Sequence, residues 1–333
     1  MRSPSRHARR SLNAIAVTAA LLALVPLVGR AAPLAPGNLF AVIVTSSTSF
    51  PSYVVELTPG GAEVQRIQAP DIGDGFARDA VVDTQGRLLV FEGETRPFLD
   101  TLDPLSGVWS SRTLAGWSTN DPYGHAGIAL APGAVLVTDA RSGAAPSLSD
   151  GLIRFPSTAG SPDRPVVAAD YLDVVTGLDG EVYALDAQSG PDGVAIDVFD
   201  SGTLARIRRI PLPAGLSAHG VAVDAAGRIF VGSWQTAIHR LSPNGVLEAS
   251  ASLTSLGLSP FPVIDIDVSA EGQLILGGSE GSVAITTTDF DPARTVAVHL
   301  GNYAVAMYVG IVPVSGATPV TRSTWGALKS RFR

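Results

Sequence analysis

One phrase recurs along this 333-residue chain and restricts its fold more than any other feature. An apolar strand runs into a short turn closed by glycine, and a second apolar strand follows. The clearest copies are Gly220-Val221-Ala222-Val223-Asp224-Ala225-Ala226-Gly227-Arg228-Ile229-Phe230-Val231 and the stretch from Asp79 to Val90. Looser copies surround Gly133, Gly180 and Gly272, and a half copy opens at Gly37. The turn glycines therefore fall at 37, 86, 133, 180, 227 and 272, at intervals of 45 to 49 residues. Repetition at a fixed period is the signature of a repeat architecture.

Each copy has the chemistry of a β-hairpin. Asp83 and Asp224 can hydrogen-bond the turn backbone through their side chains, and the closing glycine accepts positive φ. The flanking residues are Val, Ile, Leu and Phe, which suit a half-buried pleated surface. A third strand follows in every unit, at 53–57, 98–102, 152–155, 195–199, 237–241 and 283–287. A fourth closes it, as in 205–210 and 295–300. Four strands per period of about 45 residues describe a propeller blade. The expected fold is all-β: a six-bladed β-propeller of four-stranded blades over residues 32–314. The first turn glycine, Gly37, comes before a second strand, so the first blade lacks its inner strand. Residues 303–309 supply it, and the ring closes with no free inner edge.

The phrase at 220–231 resembles the NHL-type repeat and, more broadly, gluconolactonase-like six-bladed propellers. The resemblance covers about residues 37–312 and lies in the repeat pattern. It implies a fold that hosts lactonases, lyases, scaffolds and ligand sensors. The lactonase-type members hold a divalent cation in the central channel with Glu, Asn and Asp side chains. Their early Glu-Gly-Pro phrase is absent here, so no catalytic residue carries over by position.

The ends of the chain have a different character. Arg2, Arg6, Arg9 and Arg10 precede an uncharged apolar run from Ala14 to Val28, and Gly29-Arg30-Ala31 supplies small residues at −3 and −1. Residues 1–31 thus read as a signal peptide cleaved after Ala31, too short in its apolar run for a bilayer span of roughly 20 residues. The expected location is the periplasm or the outside of the cell. Residues 315–333 read as a basic tail, with Arg322, Lys329, Arg331 and Arg333 and no acid from 318 onward. It is either a sorting or docking peptide or a frayed terminus.

Charge and cysteine exclude several chemistries. Removing five arginines with residues 1–31 moves the net charge from −7 to −12, and the body without the tail stands at −16. Such a surface repels phosphate backbones, which argues against a nucleic-acid partner. The chain has no cysteine, so disulfides, thiolate catalysis and Cys-ligated metals are out. Lys329 is the one lysine, and it lies outside the expected fold, which removes a lysine Schiff base. No Gly-x-Ser-x-Gly elbow, phosphate-binding glycine loop or His-Glu-x-x-His occurs.

The remaining candidates cluster where inner strands begin. Asp79, Asp173 and Asp265 stand seven residues before their turn glycines; His125 and His219 stand eight before theirs, with Asn302 in the closing blade. Together they would ring one mouth of the channel with acids alternating with imidazole or amide. Carboxylates roughly 9 Å apart repel by about 2 kcal/mol per pair at an effective dielectric of about 20. A cation would relieve that, and oxygen ligands from Asp79, Asp173 and Asp265 favour Ca²⁺ or Mg²⁺. The alternative is that these groups hydrogen-bond neighbouring blades. The acidic loop 71–75 and the aromatics Trp117 and Tyr123 are weaker candidates. The sequence leaves two functions open. One is a monomeric binding or scaffold module for a small molecule, glycan or protein, with no membrane span. The other is a metal-dependent hydrolase or lyase at the channel mouth.

Overall fold

The repeated phrase forms the two inner strands of each sheet in the computed structural model, which describes residues 32–45, 52–70, 77–92, 98–113, 127–139, 151–156, 169–186, 194–279, 281–301 and 304–314. In chain order, blade 1 contains β1 (Leu39–Thr45), β2 (Tyr53–Leu57) and β3 (Glu63–Gln68). Blade 2 contains β4 (Ala77–Val82), β5 (Leu88–Glu92), β6 (Phe98–Leu102) and β7 (Trp109–Thr113). Blade 3 has three strands among the described residues: β8 (Ile128–Ala131), β9 (Ala134–Asp139) and β10 (Gly151–Pro156). Blade 4 is β11 (Tyr171–Thr176), β12 (Glu181–Asp186), β13 (Ala195–Asp200) and β14 (Arg206–Pro211). Blade 5 is β15 (Ala218–Val223), β16 (Ile229–Ser233), β17 (Ala237–Leu241) and β18 (Leu247–Ser252). Blade 6 is β19 (Val263–Val268), β20 (Gln273–Gly278), β21 (Ser282–Thr287) and β22 (Val296–His299). Last comes β23 (Ala304–Ile311), which returns to blade 1 and gives it the order β23-β1-β2-β3.

All pairings are antiparallel meanders. The inner strands β23, β4, β8, β11, β15 and β19 each touch the next, and β19 touches β23. That closes the six-bladed ring, as the repeat implied. Closure runs through a ladder from Leu39↔Ile311 to Thr45↔Ala304.

Burial falls from the channel outward, and the sequence follows it. Strands β5 and β16 are buried at every position, because neighbouring blades cover both faces. The outer strands β3 and β18 each bury a single residue, Ile67 and Ala251, and read as polar alternation. The apolar clusters lie between blades: Leu39, Val55 and Val309 of blade 1, for example, pack with Ile275 and Ile285 of blade 6.

The turns that join first to second strands use the predicted side chains. Asp224 Oδ1 accepts the N–H groups of Ala226 and Arg228 at 2.9 Å each, and Oδ2 pairs with Arg228 Nε at 2.7 Å. Asp83 repeats this with Gln85 and Arg87, and Ser269 Oγ takes the role in blade 6. Gly227 closes its turn at φ 76°, a conformation costly for any residue with a Cβ. Asp224→Ala is expected to lose about 2 kcal/mol, since it orphans two turn N–H groups and a half-buried guanidinium. Asp224→Asn keeps one acceptor oxygen and should lose about half as much. Urea unfolding of the two variants measures the difference.

Candidate functional site

Strand register defines one ring of positions at the start of the inner strands. Asp79 pairs with Phe91, Asp173 with Leu185, Gly220 with Gly232 and Asp265 with Gly277. Gly127 hydrogen-bonds Thr138 at the same level of blade 3, and Tyr308 pairs with Val42 in blade 1. Around the channel the ring reads Asp79, Gly127, Asp173, Gly220, Asp265, Tyr308. A β-bulge precedes four of these positions, between Ala77 and Asp79, Tyr171 and Asp173, Ala218 and Gly220, and Val263 and Asp265. Bulges re-aim side chains, and here they turn the aspartates toward the next blade.

Each aspartate joins two blades. Asp79 Oδ1 accepts its neighbour Ala80 N–H at 2.6 Å, and Oδ2 accepts Ile128 N–H of blade 3 at 2.8 Å. Asp173 bonds Val174 and, in blade 5, Val221, both at 2.7 Å. Asp265 bonds Ile266 at 2.8 Å and Val309 of the closing strand at 2.7 Å. Asp267, one turn of the pleat deeper, repeats the pattern with Val268 and Ile311. The glycines complete the logic. A Cβ on Gly127 would lie 2.5 Å from Val174 N, and one on Gly220 would lie 2.9 Å from Asp265 Cα. The blade that receives an aspartate on one side must therefore admit the next blade's backbone on the other.

These carboxyls are buried together. Burial raises the proton affinity of Asp79 well above the usual carboxylate range, and the charges of Asp265 and Asp173 add to it. Burial, then the Asp265 charge, pushes Asp173 up to about 8. Burial likewise carries Asp265 to about 6 and Asp267 to about 7. The backbone N–H donors pull the other way in every case. Arg78, itself buried, stands beside Asp79 and hydrogen-bonds the Tyr308 phenol.

Of the other sequence candidates, His219 precedes Gly220, at the bulge. Its ring lies 4.9 Å from that of Trp234, tilted by 37°. Trp234 is 49% exposed on the turn between β16 and β17. That turn is tightly held: Trp234 N–H donates to Ser217 O, Ser233 Oγ accepts Gln235 N–H, and Thr236 N–H donates to Ser233 O. Thr236 sits at φ 60°, a strained conformation for a β-branched residue and one that clusters at functional sites. His239 and His299 lie on β17 and β22, away from the channel, and His239 meets Ser250 Oγ at 2.8 Å. His125, Asn302, the loop 71–75, Trp117 and Tyr123 fall outside the described residues. Sequence reasoning missed Gly127, Gly220, Tyr308, Arg78 and Trp234. The glycines had a signal, since Gly220 stands seven residues before its turn glycine, where three other blades carry aspartate.

Among the described residues no group of three or more Asp, Glu or His side chains converges as a metal site, and no helix is long and apolar enough to cross a membrane. The mouth face also carries the connections between second and third strands. Among the described residues they include 234–236 in blade 5. The opposite face carries the turns between first and second strands, such as 83–87 and 224–228.

No protein-family model matches the sequence, and no curated protein matches it. Solved structures do. A protein of unknown function from Bacteroides caccae superposes with a TM-score of 0.54 at 8% identity, covering 83% of this chain and 99% of that one. A gluconolactonase from Xanthomonas campestris superposes at 0.52 with 18% identity, covering 74% and 85%. At these identities the likeness is one of fold.

Proposed function

We propose that this chain is an exported binding module whose ligand, a small molecule or glycan, docks on the face where the inner strands begin. One observation carries the reading: the exposed Trp234 ring, stacked on His219 beside the channel mouth and held on a strained turn. A flat aromatic face with a polar ring beside it suits the apolar face of a sugar or another small cyclic ligand.

The gluconolactonase likeness supports a second reading, a lactone hydrolase at the same mouth. The bonding of the aspartates favours binding over catalysis. Both oxygens of Asp79, Asp173 and Asp265 accept backbone N–H groups, so these carboxyls are engaged in fastening blades and each oxygen keeps one lone pair for any other partner.

A thermal-shift screen of monosaccharides, oligosaccharides and aldonolactones tests both. A compound that raises the melting temperature of the wild type but not of Trp234→Ala, with the variant's own stability unchanged, is the expected result. Hits indifferent to Trp234→Ala would remove the platform. Lactone turnover that vanishes in His219→Ala would replace binding with hydrolysis.

A further inference from the structure

Blades 2 and 4 carry the same pair of buried carboxyls and answer them differently. In blade 4, Asp186 ends β12 and Asp197 lies two pairs along on β13, on the same face of the sheet. Arg209 bridges them, with Nη2 2.8 Å from Asp186 and Nη1 3.0 Å from Asp197. The phenol of Tyr171, paired with Asp186, donates to Asp197 at 2.7 Å. Asp197 is 1% exposed; both donors reach its Oδ2, Arg206 Nη1 lies 3.6 Å from the same oxygen, and Oδ1 has no hydrogen-bond partner.

Register maps this arrangement onto blade 2 residue by residue. Glu92 ends β5 where Asp186 ends β12, and each lies six residues beyond its turn glycine. Asp100 pairs with Val90 as Asp197 pairs with Ala184. Ala77 faces Glu92 where Tyr171 faces Asp186. Ser111 pairs with Asp100 where Arg209 pairs with Asp197. The carboxyls are kept, and the counterparts of both donors to Asp197 are a methyl group and a hydroxyl.

Asp100 shows the consequence. It has no solvent exposure, and neither of its oxygens has a hydrogen-bond donor in geometry. The Ser111 hydroxyl and the Glu92 carboxyl stand beside it, and burial raises its proton affinity. A buried carboxylate is costly unless charge or donors meet it, and blade 4 shows what the position accepts: a positive charge held between two carboxyls.

We infer that Asp100, Glu92 and the Ser111 hydroxyl hold a hard divalent cation, Ca²⁺ or Mg²⁺, at the place where blade 4 carries the guanidinium of Arg209. The donors are all oxygen, which selects hard cations over Zn²⁺ or Cu²⁺. This site lies within one blade and is separate from the ligand face around Trp234.

The experiment compares wild type, Asp100→Asn and Ser111→Arg by melting in chelator and then in increasing Ca²⁺ or Mg²⁺. Ser111→Arg installs the blade 4 solution. The wild type should gain several degrees, saturably, while both variants lose that gain. Ser111→Arg should also melt above the wild type in chelator. A wild type indifferent to both ions would overturn the site. A cation gain that persists in both variants would place the ion elsewhere, the channel mouth included. Should Ser111→Arg fail to fold, Asp100→Asn decides alone: it keeps the shape, removes the charge, and must abolish the response.

Discussion

A chain that ends at Gly301 should fail to form a monomeric folded ring. Strand β23 contributes the ladder to β1 from Leu39↔Ile311 onward and packs against β4 on one side and β19 on the other. Without it, β1 becomes an open edge of six consecutive buried residues, Leu39 to Val44, a template for pairing with another chain. Val309 and Val312 are buried apolar side chains, and Tyr308 is nearly so; at about 2 kcal/mol each they contribute about 6 kcal/mol. The oxygens of Asp265 and Asp267 that accept Val309 and Ile311 N–H groups would also lose those donors inside a closed interface, at about 1–3 kcal/mol each. Together these match the whole stability of an ordinary domain, about 5–15 kcal/mol. Size-exclusion chromatography with light scattering should show aggregates or oligomers, and the melt should lose its cooperativity. A peptide of residues 302–314 added during refolding should recover monomer. A truncated chain that stays monomeric and melts as sharply as the full one would mean that the ring does not depend on this closure.

That expectation was legible before any coordinates, and the reason is local. Gly37 precedes a second strand, so the first blade lacks its inner strand, and the apolar stretch 303–309 after the sixth unit supplies it. The acidic ring was legible only in part. Counting seven residues back from a turn glycine finds Asp79, Asp173 and Asp265 because their hairpin turns have closely similar lengths. In blade 3 the turn between Ala131 and Ala134 is shorter, so the same level falls at Gly127, six residues before Gly133. In blade 1 the inner strand comes last in the chain, so register with Val42 gives Tyr308. What the carboxylates bond was not legible, because their partners are backbone N–H groups of the next blade, which leave no mark on side-chain identity. The contrast between Ser111 and Arg209 was hidden for a related reason. Both sit on outer strands of irregular spacing, and only the pairing Asp100↔Ser111 and Asp197↔Arg209 makes them equivalent.

Stability should rise as the pH falls from about 8.5 to 5, opposite to the usual loss of paired carboxylates in acid. Asp173, Asp265 and Asp267 titrate at about 8, 6 and 7 in the folded chain against a usual 3.8, and Asp79 shifts in the same direction. Each group thus binds its proton more tightly folded than unfolded. Between the unfolded and folded values the native state holds more protons, so stability declines as pH increases. Each group's contribution is complete below about pH 4 and lost as the pH passes its folded value. The slope should reach about 1 kcal/mol per pH unit where one group is protonated only in the folded state. Asp103 and Asp200 shift downward because turn N–H groups hold their carboxylates; they act below about pH 4 and leave this window alone. Melting curves across the range measure the slope, and Asp267→Asn should flatten it between about pH 4 and 7, where Asp267 keeps its proton only in the folded chain. The same curves test for a metal at the channel mouth. A divalent ion held by Asp79, Asp173 and Asp265 would keep them ionised, so the profile in Ca²⁺ or Mg²⁺ would lose its acid preference and rise at pH 8. In the Asp100→Asn background, identical profiles with chelator and with either ion would leave protons and backbone N–H groups as the partners of these carboxyls, and the ring as a device that fastens blades.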